Sequence, residues 1–156
     1  MTLKEIRKNK KLTQKHAATY LGVSLRTYQS YETETTKQIG FKHEYMLEKL
    51  KRYGYIDETT GVLTIDDIKK TCLNVLSEYN VDYCYLFGSY AKGIATEQSD
   101  VDLYIFTETT GLKYFEMIET LRENLHKIID VINQVQLQNN MNLVNEILRY
   151  GIKIYG

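Results

Sequence analysis

The sequence lacks the features by which a chain enters or crosses a membrane. No apolar run approaches the roughly 18–20 residues that a bilayer-spanning helix needs. The N-terminus reads MTLKEIRKNKK, which is strongly charged and has no apolar stretch after it, so it is not a secretory signal. We therefore expect a cytoplasmic protein with no membrane partner.

Cysteine is also scarce. Cys72 and Cys84 are the only two in 156 residues, and they provide neither a disulfide framework nor the spacing of a metal site. The composition is otherwise that of a folded protein, because 43% of the residues are hydrophobic and 26% are charged. The length is compatible with one large domain or two small ones.

The formal net charge of zero hides an asymmetry between the two parts of the chain. Residues 1–54 hold 12 Lys and Arg against 5 Asp and Glu, a net charge of +7. Residues 55–156 hold 8 against 15, a net charge of −7. Opposite signs indicate two modules with different partners. A basic module attracts a polyanion, whereas an acidic module repels nucleic acid unless cations mask its charge.

The basic module has the pattern of two short helices joined by a tight turn. Thr13 is suited to cap a helix over TQKHAATYL, and Ser24 to cap a second helix over SLRTYQSYE. Gly22 stands between them, where a helix end favours a residue that tolerates positive φ. Over residues 1–35, this layout resembles the Cro/phage-repressor-like helix-turn-helix family.

In that family, the N-terminal part of the second helix enters the major groove of DNA. The helical period turns Tyr28 inward and Arg26, Thr27 and Gln29 outward. The resemblance therefore implies that these three residues, with Gln14 of the preceding helix, contact operator DNA, bound by a homodimer on paired half-sites. The alternative is a helical packing module whose outward polar residues are only solvated.

The order of patterns along the chain predicts two domains and a linker. Residues 33–40 have no apolar periodicity and are expected to form a loop, and residues 41–53 a helix that closes the first domain. We expect a helix-turn-helix domain over residues 1–55, a polar linker over 56–63, and a second domain over 64–156.

The second domain alternates helical and strand patterns. The strand-like runs are DYCYLF, VDLYIF, KIIDVI and IKIY, and helical runs begin near Thr64, Leu112 and Met141. This alternation predicts an α/β domain with a mixed sheet, so that the whole chain is an α+β protein of two domains.

One segment of this domain, LFGSYAKGIATEQSDVDL, carries the candidate chemistry. Asp100 and Asp102 are expected on one strand face, roughly 6–7 Å apart along the strand, where both can bind one Mg²⁺ or bracket two. Gly88 lets the backbone approach a phosphate closely. Ser89 and Lys92 can add hydrogen bonds and positive charge to phosphate oxygens.

A third carboxylate, Asp130, lies within the apolar run KIIDVI. A carboxylate in a buried strand is costly unless it has a partner, and a metal shared with Asp100 and Asp102 would be one. It would also place a base near an incoming hydroxyl group. The alternative is that Gly88 and Ser89 form only a turn and that Asp130 lies at the surface.

The phrases GSYAKG…SDVDL, IIDVI and LRYGIKIY resemble, in this order, the nucleotidyltransferase superfamily of the DNA-polymerase-beta type. The resemblance covers about residues 64–156, and the small size is similar to the minimal nucleotidyltransferase branch. This family commonly has Arg where this chain has Lys92, which keeps the charge but loses bidentate phosphate geometry. The resemblance implies catalytic and metal-binding roles for Asp100, Asp102 and Asp130 with two Mg²⁺ ions, and nucleotide-binding roles for Gly88, Ser89 and Lys92 with ATP as substrate.

The resemblance also implies a cellular role. Minimal nucleotidyltransferases resemble antitoxins that transfer AMP from ATP to a tyrosine of a HEPN-type toxin and so silence it. A helix-turn-helix in front suits an antitoxin that represses its own operon. Two other functions stay open: a transcriptional regulator whose nucleotidyltransferase fold only senses a nucleotide, and a small-molecule nucleotidyltransferase that modifies an antibiotic.

Overall fold

The structure, a computed structural model, describes residues 1–156 and divides into two units, residues 1–55 and 56–156. The helices of the first unit are α1 (Leu3–Asn9), α2 (Gln14–Leu21), α3 (Leu25–Thr33) and α4 (Phe41–Lys51), with a 3-10 turn over Thr35–Lys37. The elements of the second unit are α5 (Ile65–Leu76), β1 (Val81–Phe87), α6 (Gly88–Lys92), β2 (Val101–Thr107), α7 (Leu112–Leu125), β3 (Ile129–Asn133), α8 (Gln134–Leu137), α9 (Met141–Tyr150) and β4 (Ile152–Tyr155).

Hydroxyl side chains determine where α2 and α3 begin. The Oγ1 of Thr13 accepts a hydrogen bond from the backbone N–H of His16, and the Oγ of Ser24 accepts one from that of Thr27, each at 3.1 Å. These bonds satisfy amides that the first turn of a helix leaves unpaired. Gly22 ends α2 in the left-handed region at φ +72°. The predicted helix-turn-helix is therefore confirmed.

The first unit has its own core, in which Tyr28 of α3 is completely buried, as its position in the helical period predicts. Tyr31 and Val23 are only partly buried at the edge of this core. The other buried apolar residues come from α1, α2, α4 and the α1–α2 connection: Leu3, Ile6, Leu12, Ala17, Ala18, Leu21, Met46 and Leu50.

A buried ion pair links the ends of the first three helices. The carboxylate of Glu32, in α3, receives hydrogen bonds from Arg7 Nε at 2.9 Å and from Arg7 Nη2 at 2.8 Å. Gln14 Nε2 adds a longer one at 3.3 Å. Burial by itself would raise the pKa of Glu32, but its interactions with Arg7, Tyr28 and Gln14 outweigh burial, so that the pKa is lowered. The carboxylate therefore stays charged inside the unit.

The second unit is built on a four-stranded sheet with strand order β3-β2-β1-β4. β1 pairs antiparallel with both β2 and β4, whereas β2 and β3 are parallel, which confirms the predicted mixed sheet. One face packs against α5 and α7 through residues such as Leu86, Leu103 and Met117. Cys72 and Cys84 are free thiols buried in this same core. The other face is partly covered by α9 through Ile147.

Some boundaries differ from those expected. Residues 56–63 belong to the second unit, where Asp57 and Thr60 form a β-bridge and Leu63 joins the core. The third strand begins at Ile129 rather than at Lys127, and the short helix α8 was not predicted. No helix combines the length and the apolar character that crossing a membrane would require.

The buried pair predicts a large stability effect in the first unit. Glu32→Gln leaves the Arg7 side chain, which is only 13% exposed, without its anionic partner. We expect the free energy of unfolding to fall by about 2–4 kcal/mol. Circular dichroism during thermal unfolding of the full chain would show this as an earlier loss of helix. Glu34→Gln is the matched control, because it breaks an exposed pair with Lys37 and should change stability by less than about 1 kcal/mol. Equal effects of the two substitutions would contradict the assignment.

Candidate active site

The register of three strands brings the candidate carboxylates together. Asp102 of β2 pairs with Phe87 of β1 on one side and with Asp130 of β3 on the other, so these residues form one row across the sheet. Neighbouring strands lie about 4.8 Å apart. Asp100 immediately precedes β2, and its charge acts on Asp102. The structure thus gathers the three predicted carboxylates at one end of the parallel pair.

Gly88 provides the space for the central carboxylate. The residue has φ +69°, in the left-handed region, where β1 turns directly into α6. A Cβ at this position would overlap Oδ2 of Asp102 and lie 2.9 Å from its Cγ. Glycine is therefore required both by the backbone conformation and by the close approach of Asp102.

The environment of Asp102 disfavours its charged form. Burial is the largest cause, and the negative charges of Asp130, Asp100 and Glu146 add to it, whereas Lys92 acts in the opposite direction. Together they raise the pKa of Asp102 to about 6. A perturbed carboxylate among like charges is typical of functional sites.

These residues fit a hard divalent cation by their chemistry. Asp100, Asp102 and Asp130 offer the carboxylate oxygens that Mg²⁺ prefers, and a bound cation would relieve the repulsion among them. As placed, however, no three side chains of the Asp, Glu, His or Cys type converge on one point. Binding therefore requires side-chain rotation on a backbone that already brings the residues near one another.

Lys92 is held at the edge of this site by α9. Its Nζ lies 2.8 Å from a carboxylate oxygen of Glu146 and 5.1 Å from the ring centre of Tyr150. The hydrogen bond to Glu146 is the main cause of a raised pKa of Lys92. Ser89 lies in the first turn of α6 and is partly buried. The nucleotide-binding roles of Gly88, Ser89 and Lys92 remain predictions.

The sequence reasoning missed Glu146, although the helical period contained a signal for it. Leu143 and Ile147 mark the face of α9 that packs on the sheet, and Glu146 is the neighbour of Ile147 on the adjoining face. The structure shows that this carboxylate contributes to the electrostatics of the carboxylate row.

The expectation of a buried Asp130 was wrong. The side chain is exposed, and it lies on β3, which is an edge strand of the sheet. The cost of burial therefore does not argue for a partner at Asp130. Its candidate role depends instead on its place beside Asp102 in the strand register.

The candidate DNA-contacting residues lie on or beside α3. Arg26 and Gln29 are exposed, whereas Thr27 is partly buried and its hydroxyl oxygen accepts a hydrogen bond from Ser24 Oγ at 2.8 Å. Gln29 Nε2 donates to Gln14 Oε1 at 3.2 Å. The two glutamines predicted to contact DNA are thus hydrogen-bonded to each other, and this bond links α2 to α3.

Comparison with known proteins agrees with both units. Residues 70–156 match the family described as polymerase beta, nucleotidyltransferase. The chain belongs to this nucleotidyltransferase family. Residues 3–39 match a helix-turn-helix family. The matched stretches contain the carboxylate row in one case and the capped helix pair in the other.

Two curated relatives come from Methanocaldococcus jannaschii, and both are named as candidate protein adenylyltransferases. MJ0128 is 36% identical over 78 residues, which cover 48% of this chain and 80% of the relative. MJ1379 is 35% identical over 66 residues, which cover 40% of this chain and 66% of that relative. This chain thus spans slightly less than two thirds of MJ1379.

Two solved structures each match part of this chain, and one of them is similar in fold. A candidate minimal nucleotidyltransferase matches with a TM-score of 0.51 and 23% identity, covering 60% of this chain and 98% of that one. A toxin–antitoxin structure with AMP-PNP matches with a TM-score of 0.48 and 21% identity, covering 56% and 73%. The first likeness shows a shared nucleotidyltransferase fold.

The raised pKa of Asp102 predicts an unusual dependence of stability on pH. The folded-state pKa of about 6 lies above the unfolded value of about 3.9. The favourable contribution of this carboxyl group to the free energy of unfolding is therefore fully present below about pH 4, and it is lost as the pH rises through about 6. Without divalent cations, we expect Asp102→Asn to be about 1–2 kcal/mol more stable than wild type at pH 7.5, after allowance for solvent screening.

Calorimetry of the full chain in a chelator at several pH values would measure this difference. The control is Asp82→Asn, which removes an exposed carboxylate of β1. The assignment would be contradicted if the free energies of unfolding of wild type and Asp102→Asn changed in parallel between pH 4 and pH 7.5.

Proposed function

We propose that this protein transfers AMP from ATP to a hydroxyl group of a partner protein, the acceptor being a tyrosine of a HEPN-type toxin. In this proposal the chain is the antitoxin of a toxin–antitoxin pair. The observation that carries the proposal is the row of Asp102 and Asp130, with Asp100 beside it, next to the recess at Gly88 and the cation of Lys92.

The reaction is a displacement at the α-phosphorus of ATP. The tyrosine oxygen forms the new bond to phosphorus, the bond to the bridging oxygen breaks, and pyrophosphate leaves. Asp130 accepts the proton of the tyrosine hydroxyl, since its side chain is exposed beside the row. Positioning of the two reactants supplies a large part of the rate enhancement.

The other site residues bind the nucleotide. Asp100 and Asp102 hold Mg²⁺, which when bound neutralises charge on the phosphates and on the leaving pyrophosphate. Ser89 donates its hydroxyl hydrogen to a phosphate oxygen, and Lys92 adds a positive charge. Gly88 contributes by leaving the space that the Asp102 carboxylate occupies.

Binding of ATP changes the partner of Lys92. The lysine is paired with a single carboxylate of Glu146, with about a third of each side chain exposed. A triphosphate carries several negative charges and competes favourably for a partly exposed ammonium group. We infer that Lys92 exchanges Glu146 for phosphate oxygens when the nucleotide binds.

Two features support AMP and a protein as the transferred group and the acceptor. The curated relatives, which match 66 and 78 residues of this chain, are named as candidate protein adenylyltransferases, and residues 70–156 match the nucleotidyltransferase family. The sequence also resembles the minimal branch of the superfamily, whose members act on HEPN-type toxins. A protein acceptor needs no small-molecule pocket of its own on this chain.

The first unit is proposed to bind operator DNA as a homodimer. Its charge of +7 attracts the phosphate backbone, while Arg26 and Gln29 are exposed on α3 for contacts with bases or phosphates. An antitoxin with this unit represses its own operon. The N-terminal match to a helix-turn-helix family supports this part of the proposal.

Intact-mass spectrometry tests the transfer reaction. The purified chain is incubated with ATP, Mg²⁺ and the HEPN protein encoded by the adjacent gene. We expect the toxin to gain one or more AMP units, Asp102→Asn to abolish the gain, and the exposed-surface variant Asp82→Asn to retain it. Phenylalanine substitutions in the toxin would locate the acceptor. No gain on the toxin, with ATP binding intact, would contradict transfer and favour a regulator that senses a nucleotide.

DNA binding has a separate test. Arg26→Ala should raise the Kd for the chain's own upstream DNA by roughly five- to a hundredfold, the range expected when one base or phosphate contact of Arg is lost. Fluorescence anisotropy with a labelled duplex at fixed salt measures this change. Lys153→Ala, which removes an exposed cation of β4 in the second unit, is the control. An unchanged Kd for Arg26→Ala would remove this residue from the interface.

A further inference from the structure

Lys127 is a buried cation that the proposed reaction does not use. Its side chain is 0% exposed, and no ion pair accompanies it. The Nζ donates instead to two backbone carbonyl groups, that of Glu97 at 2.8 Å and that of Thr60 at 3.3 Å. Burial lowers the pKa of this ammonium group, although the negative charges of Asp57 and Glu97 act in the opposite direction. A buried ammonium group that forms no direct ion pair costs free energy that an apolar side chain would not.

The contacts of Lys127 and its neighbour bracket the segment that holds Asp100. Glu97, whose carbonyl binds the Nζ, lies three residues before Asp100. Directly after Asp100, the backbone N–H of Val101 donates to the carbonyl of Ile128 at 2.9 Å. Lys127 and Ile128, which directly precede β3, therefore form hydrogen bonds with the two ends of residues 97–101.

The turn over residues 57–61 holds the same segment from another direction. The N–H of Gly61 donates to the carboxylate of Glu97 at 3.2 Å, and Gln98 Nε2 donates to the carbonyl of Thr59 at 3.3 Å. Lys127 joins both parts, because one of its two carbonyl acceptors belongs to the turn and the other to the segment. No other side chain forms hydrogen bonds to both of them.

We propose that Lys127 is a positioning residue for Asp100: by fixing residues 97–101, it sets the direction in which Asp100 presents its carboxylate to a divalent cation bound with a nucleotide. This inference depends on the proposed function of the site. Asp100 needs such support because it is exposed and lies outside β2, so no strand pairing of its own holds it. An apolar side chain could fill the space of Lys127, but it would leave the carbonyl of Glu97 free to move.

The test compares Lys127→Met with wild type in the full chain. The probes are ATP with Mn²⁺ and ATP in a chelator, and the readouts are the two Kd values from calorimetry and the Tm. We expect the Kd for ATP with Mn²⁺ to rise about tenfold, as for other residues that orient metal ligands. The Kd for metal-free ATP should not change. The Tm should stay the same or rise, since an apolar replacement removes a buried charge.

Two further variants keep the result interpretable. Lys153→Met removes an exposed lysine and should leave both Kd values at the wild-type level. Gln98→Leu loses only the exposed bond to Thr59, so it should fold and raise the Kd for ATP with Mn²⁺ by roughly two- to threefold. If Lys127→Met fails to fold, the Kd of Gln98→Leu for ATP with Mn²⁺ is the measurement that decides whether residues 97–101 position the metal ligand.

The outcomes separate this inference from the proposed function. If wild type binds ATP with Mn²⁺ and the variants at Lys127 and Gln98 bind it equally well, the positioning role is wrong and the proposed function stands. If Lys127→Met weakens both forms of ATP equally, the lysine has only a structural role. If wild type binds neither form, the proposed function fails, and the positioning role fails with it.

Discussion

The approach of the Asp102 carboxylate to the backbone of Gly88 is the constraint on which the second unit depends. It requires β1 and β2 to pair so that Phe87 and Asp102 are neighbours, and it requires the chain to turn at positive φ directly after β1. That turn starts α6 and brings Lys92 to the edge of the carboxylate row. This contact, which leaves no room for a methyl group, thus constrains the strand register, the direction of the following helix and the position of Lys92.

The same contact creates electrostatic strain that the unit does not relieve by itself. Asp102 is partly buried and faces the charges of Asp130, Asp100 and Glu146, and the single cation nearby, Lys92, is already paired with Glu146. A fold selected only for stability would replace some of these carboxylates. Their presence together fits the proposed site for a cation and a polyphosphate, in which the cation would supply the missing positive charge and the polyphosphate would pair with Lys92.

Local signals in the sequence predicted much of this structure. Thr13, Ser24 and Gly22 act within one helical turn, so their pattern was sufficient to predict the helix-turn-helix, and the strand-like runs predicted the mixed sheet. Some features that depend on distant neighbours were not predicted. The bond between Arg7 and Glu32 joins residues 25 positions apart, and Asp130 lies exposed on β3, at the edge of the sheet. Periodicity carries no information about either.

The two units differ in whether their buried charged groups have an oppositely charged partner. This difference distinguishes groups with a structural role from groups with a functional one. In the first unit, Glu32 is met by a bidentate Arg7 and by Gln14, so that its charge is compensated within the fold. In the second unit, Asp102 meets like charges. Lys127 hydrogen-bonds to two carbonyl groups and forms no ion pair, although the charges of Asp57 and Glu97 act on it. A buried charge that is paired within the fold can have a purely structural role. An unpaired buried charge lowers stability, which points to another role, such as binding a ligand or holding a loop in place. Asp102 and Lys127 both lie near the ends of β2 and β3, close to Asp100, where the proposed cation would bind.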